Sequence, residues 1–145
     1  MKKQIMAVVA LLGLMVAGTA FADLKDNNDG TLIDTTQRLV WLKQADCFGK
    51  VNFFDAQNKP YGLASGMCGL SDKSSAGQWR LPNEVELKSL QGNLSKFNGN
   101  ISDWYWTSNP GTAPGTSNCI LPTNGATQGF DRNSLHYVLP VRRLP

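Results

Sequence analysis

The sequence is poor in most features that would announce a chemistry. It has one histidine, His136, and three cysteines, Cys47, Cys68 and Cys119, none of them in a C-x-x-C arrangement. Zinc sites need several such ligands at close spacing, so neither a metal centre nor a cofactor is expected. Charge of one sign is also scarce: 14 Lys and Arg stand against 11 Asp and Glu, and the longest basic run is Arg142-Arg143. Such a surface sets up no broad field for phosphate backbones or anionic lipid, which argues against a nucleic-acid partner. Internal repeats, low-complexity tracts and dividing linkers are missing, so one domain is expected.

The one long apolar run lies at the start. Lys2 and Lys3 precede a nearly unbroken hydrophobic stretch from Ile5 to Ala17, and Ala20-Phe21-Ala22 follows as a small-x-small triplet. This is the pattern of a secretory signal peptide over residues 1–22, with cleavage expected between Ala22 and Asp23. The run is shorter than the about 20 residues a spanning helix requires, and no cysteine adjoins the triplet to carry a lipid. The expectation is therefore an exported protein, periplasmic or extracellular, with no membrane insertion after cleavage. Without Lys2 and Lys3 the balance becomes 12 against 11.

An oxidising compartment favours paired thiols. Joining Cys47 to Cys68 closes a loop of about 20 residues, for which chain entropy gives roughly 3 kcal/mol. Cys119 is left over in Asn118-Cys119-Ile120-Leu121, which reads as a strand; it is expected to be an inert buried thiol, an interchain bridge being the alternative.

Turn residues at Asp26-Asn27-Asn28-Asp29-Gly30 and at Asp34-Thr35-Thr36-Gln37 flank Thr31-Leu32-Ile33 and precede Leu39-Val40-Trp41-Leu42, which predicts a hairpin. The acidic cluster is not a calcium loop, because setting Gly30 at loop position 6 puts Lys25 and Thr36 where carboxylates are required. A first helix begins after Asn52, with Asp55 as its N3 acid; Ala56, Leu63, Ala64 and Met67 follow at near-helical spacing, interrupted by Pro60, Gly62 and Gly66. Leu70 to Gln78 reads as a loop. A second helix starts at Glu84, where Asn83 and Glu86 form a capping box, and Leu87, Leu90 and Leu94 share its inner face. Glu84 and Glu86 complement the helix dipole and are not an acid–base pair. Trp104-Tyr105-Trp106-Thr107 reads as a strand, Asn109 to Asn118 as a long irregular loop, and Cys119 to Leu121 and Thr127 to Phe130 as strands joined through Asn124-Gly125. A last strand is expected from Leu135 to Arg142, with Pro140 at an edge or bulge. Hairpin, two helices and antiparallel strands make the class α+β.

Four blocks, Asp29-Gly30-Thr31 with its surroundings from Asp26 to Trp41, Trp79-Arg80-Leu81-Pro82 with Glu86-Leu87, Tyr105-Trp106-Thr107-Ser108, and Tyr137 to Arg142, occur in an order that resembles the Lcl C-terminal domain family of bacterial exported proteins. The resemblance implies a variant of the C-type lectin-like fold: an N-terminal hairpin, two helices and a twisted antiparallel sheet around one core over residues 23–145, with ligands held by loops. The sequence departs from that pattern at Pro60, where a continuous helix is common, and at Cys119, where a large apolar residue is common. Calcium-dependent sugar binding does not transfer, because Leu81 precedes Pro82-Asn83 where those lectins carry an acid or amide.

The functional expectation is a non-catalytic module that binds a glycan or a protein partner through loops and a sheet face. Asn109, Asn118, Gln128, Arg132 and Asn133 are its candidate contact residues. Trp79, Trp104 and Trp106 are expected mainly to fill the core. Two alternatives remain. One is an enzyme related to the formylglycine-generating enzymes, which would need a working cysteine pair where only Cys119 stands. The other is a subunit of a surface assembly.

Overall fold

The computed structural model describes residues 21–145, so all but the last two residues of the expected signal peptide lie outside the described part. Among these residues seven strands form two antiparallel sheets. The first has the order β1-β2-β3-β7, from Leu24–Asp26 (β1), Thr31–Asp34 (β2), Leu39–Leu42 (β3) and Val141–Arg143 (β7). The second has the order β4-β5-β6, from Tyr105–Pro110 (β4), Thr116–Leu121 (β5) and Ala126–Asp131 (β6). Among the described residues two α-helices, Phe53–Tyr61 (α1) and Glu84–Lys88 (α2), complete the α+β architecture.

The expected hairpin is β2–β3, in register from Thr31 opposite Leu42 to Asp34 opposite Leu39. Asp34 closes its turn by accepting from the backbone N–H groups of Thr36 (2.9 Å) and Gln37 (3.2 Å). β1 was not anticipated, because three residues are too few to show an alternation. Gly30 has φ +89°, and a Cβ there would lie 2.4 Å from the Gly69 carbonyl oxygen, so the turn before β2 admits only glycine.

Asn52 caps α1 by accepting from the Asp55 N–H at 2.9 Å. The helix stops at Tyr61, the short helix expected from Pro60, Gly62 and Gly66. Pro60 is accommodated in its last turn, and the chain then leaves through Gly62. At α2 the capping box is present, the Asn83 side chain accepting from the Glu86 N–H at 2.8 Å and Glu86 accepting from the Asn83 N–H at 2.9 Å. Leu87 and Leu90 are buried as expected, but Leu94 starts a separate 3-10 turn, Leu94–Lys96.

Two expectations for the C-terminal half are corrected. Asn109 to Asn118 is not a long irregular loop: β4 runs to Pro110, β5 begins at Thr116, and the Gly111 N–H donates to the Thr116 carbonyl at 3.0 Å. Proline and glycine there shape a short hairpin turn. Leu135 to Arg142 is not one strand. His136 pairs with Val51, Tyr137 bridges to Tyr105, and only Val141–Arg143 forms β7, beyond Pro140, which has no N–H to donate. This segment links the sheets, since Tyr137 bridges to Tyr105 in the second and Val141 pairs with Trp41 in the first while also bridging to Arg80.

The larger core cluster gathers Leu32, Trp41, Leu42, Leu63, Trp79, Leu87, Leu90, Tyr105, Ile120 and Leu139. The smaller one holds Val51, Phe53, Ala56, Leu81, Trp106, Cys119 and Val138 on the opposite face of the second sheet. Each large side chain taken out of water contributes about 2 kcal/mol. Among the described residues the packing begins at Ala22, one residue before the expected boundary. Cys47 and Cys68 are joined, with Cα atoms 5.8 Å apart.

Candidate functional site

Alternation along β5 divides the five expected contact residues between two places. Asn118 and Cys119 are neighbours and face opposite sides of the sheet.

On the Asn118 side the polar groups are committed to docking α2. The Asn118 side-chain amide donates to Glu84 at 2.8 Å, and the Asn109 side-chain oxygen accepts from the Glu84 N–H at 2.9 Å. Thr107 supports both, donating to the Asn118 carbonyl at 2.8 Å and accepting from the Asn109 N–H at 3.1 Å. Both asparagines, expected on a loop, therefore lie on β4 and β5 and are bonded to the scaffold.

On the Cys119 side, Gln128 pairs with Cys119 across the β5–β6 ladder and is exposed. Arg132 lies beyond the end of β6. Its Nε donates to the buried Ser117 hydroxyl at 2.9 Å, and its guanidinium lies 5.3 Å from the centre of the Phe53 ring. Asn133 is exposed, its backbone N–H bonded to the Asp131 carboxylate at 2.8 Å.

Beside these residues lies a group that includes Trp104 and Trp106, both expected mainly in the core. Trp106 is fully buried, but Trp104, Phe130 and His136 are only half-buried at the open end of the smaller cluster. Trp104 meets Phe130 edge to face with centroids 5.4 Å apart, Phe130 lies 4.1 Å from His136, and His136 meets Trp106 edge to face at 5.0 Å. The backbone fixes the imidazole, because Val51 and His136 exchange both N–H bonds, at 2.8 and 2.9 Å. Lys50 and Asp103 flank the group as an ion pair at 3.4 Å.

The Ser134 hydroxyl donates to the Asp131 carbonyl at 2.5 Å and stands 3.1 Å from His136 Nε2. A hydroxyl has one proton, so Nε2 is the donor to Ser134 and Nδ1 of the neutral ring is left as an acceptor. Burial pushes the His136 pKa below its ordinary value; Asp103 opposes that shift and Lys50 adds to it. The ring is thus neutral near pH 7 and is not placed to take the Ser134 proton. Burial likewise pushes the Cys119 thiol far up, with Asp103 adding to the effect, which keeps it protonated.

The acidic turn is internally satisfied. Asp29 accepts from the Thr31 N–H at 3.0 Å and from its hydroxyl at 2.5 Å, while Asp26 pairs with Lys43 at 2.6 Å.

The sequence blocks quoted above meet in the scaffold. The Trp79 indole N–H donates to Ser74 at 3.0 Å, Ser74 donates to Asp72 at 2.7 Å, and Arg142 donates to the same carboxylate at 3.0 Å while lying 5.1 Å from the Trp79 ring centre. Arg80 grips Glu86 with two bonds of 2.9 and 2.8 Å.

A family model described as the Lcl C-terminal domain matches residues 30–142. Among curated proteins no match is found.

Proposed function

The chain belongs to the Lcl C-terminal domain family, and from that premise we propose that it is an exported, non-catalytic binding module whose contact surface is the half-buried aromatic group Trp104–Phe130–His136 with Gln128 at its edge. The single observation carrying this reading is that these rings stop short of full burial although the adjoining cluster is closed. Aromatic faces beside neutral hydrogen-bonding groups, here Gln128, Ser134 and the imidazole, suit the C–H faces and hydroxyls of a sugar, so a glycan is the ligand we favour over a protein. The C-type lectin-like label for the architecture belongs to the same proposal, supported by the hairpin, two helices and antiparallel sheets.

Several observations support its parts. The Cys47–Cys68 disulfide suits an oxidising compartment, and no helix among the described residues is long and apolar enough to cross a membrane. Burial of Cys119 weighs against both alternatives, a cysteine-dependent enzyme and an interchain-bridged subunit. A glycan array probed with the wild-type protein and with Trp104→Ala tests the reading. Binding that disappears in the variant supports it. Binding that survives moves the site elsewhere, and no binding to any sugar removes the glycan preference.

A further inference from the structure

Ala22 is built into the fold. It is 6% exposed within the larger core cluster, its N–H donates to the buried Ser89 carbonyl at 2.8 Å, and its own carbonyl accepts from the Asn93 side-chain amide at 2.7 Å. Phe21, one residue earlier, is 57% exposed. Removal of everything through Ala22 would leave the Ser89 carbonyl and the Asn93 amide without these partners and take one member from the larger core cluster, whereas removal through Ala20 costs the domain none of these contacts. The sequence supplies a second small-x-small triplet at that point, Gly18-Thr19-Ala20, so the small residues a leader peptidase requires are present two positions earlier than the Ala20-Phe21-Ala22 triplet places them.

We propose that the processing site is the Ala20–Phe21 bond and that the mature chain begins at Phe21, keeping Ala22 as the first packed residue of the domain. The inference rests on the reading of the N-terminal segment as a leader. The step is a hydrolysis: the amide C–N bond between Ala20 and Phe21 breaks, the hydroxyl of water goes to the Ala20 carbonyl carbon, and the Phe21 nitrogen leaves as an amine that protonates to an α-ammonium.

The full chain, expressed in a bacterium and recovered from the periplasm, decides this by intact mass and N-terminal sequencing. The expected product starts at Phe21 and is heavier by one Phe and one Ala than a chain starting at Asp23. A start at Asp23 overturns the proposal; it would instead place an α-ammonium against the buried Asp34 carboxylate, from which the Asp23 nitrogen is 3.4 Å away. Recovery of only the uncut chain overturns the leader reading, and the proposal with it, and is distinct from either start. The physical ground is checked separately with recombinant chains beginning at Phe21 and at Asp23. The longer one is expected to melt at a higher temperature, and Asn93→Ala to lower the Tm of that chain alone. Equal Tm values for the two, with no effect of Asn93→Ala in either, remove the reason for preferring the earlier bond.

Discussion

Arg142 donates to the Asp72 carboxylate at 3.0 Å across 70 residues of sequence, and the Asp72 side chain retains only 1% of its exposure. Burial by itself would raise the Asp72 pKa, but bonds from the Ser74 hydroxyl and amide and from Arg142 together hold it below the ordinary carboxylate value. Replacing Arg142 by Met strands a buried anion, and we expect a loss of about 3 kcal/mol in urea unfolding. Because the folded-state pKa is depressed, the stabilisation is present above about pH 4 and is lost as pH falls through the folded value. Asp72→Asn should flatten that acid limb of the stability curve. A limb of unchanged slope would assign acid sensitivity to other carboxylates.

His136 titrates in a higher window. Its folded pKa is lowered mainly by burial. The unfolded chain therefore binds the proton more readily, and the group's contribution is present above about pH 6.5 and declines as pH falls below it. Chemical denaturation between neutral and mildly acidic pH should show this decline in the wild type and not in His136→Gln. Identical curves would count against a desolvated imidazole.

Two glycines separate backbone strain from collision. Gly49 has φ +68° with nothing within 4 Å of an added Cβ, so Gly49→Ala meets only the left-handed backbone cost, about 1 kcal/mol. Gly30→Ala adds the overlap with the Gly69 carbonyl 2.4 Å away and should lose clearly more, detectable as a lower urea midpoint or as failure to fold. Equal losses would show that the Gly30 turn relaxes freely.

Arg132 and Asn133 were both expected as contact residues, yet they differ in what holds them. Arg132→Ala gives up the bond to Ser117 and the contact with Phe53, for an expected cost of about 1–2 kcal/mol. Asn133→Ala leaves its exposed backbone bond intact and should change stability by less than about 0.5 kcal/mol. Thermal melts of the single variants compare them directly.

Cys119 should resist a thiol reagent in the native protein and react fully once denaturant unfolds it, since it is completely buried and its thiol is held protonated. Rapid labelling without denaturant would reopen the readings in which this cysteine acts.

Much of this arrangement was legible in the sequence because the signals were local. Asn52 with Asp55, Asn83 with Glu86, and Asn124-Gly125 are decided within a few residues, and each lies where its spacing placed it. Cys47 and Cys68 were readable because only one short loop could be closed between them. What escaped was set by distant partners. The Asn109–Asn118 stretch is a hairpin because β4 and β5 pair around it, and the last segment breaks up because Val51, Tyr105 and Trp41 capture successive parts of it. The same holds for the site. Nothing adjacent to Trp104 or Phe130 in sequence shows that they meet, and Asn109 and Asn118 look free until Glu84 is placed between them.

The segment from His136 to Arg143 supplies partners to Val51, Tyr105, Arg80 and Trp41, so both sheets take contacts from a stretch that follows β6 in the chain. A ribosome or translocation pore delivers that stretch only after β1 to β6, and until it emerges the two sheets lack this seam. A stop just before His136 would thus strip closing contacts from both sheets, and proteases would meet an open chain and not a trimmed tail.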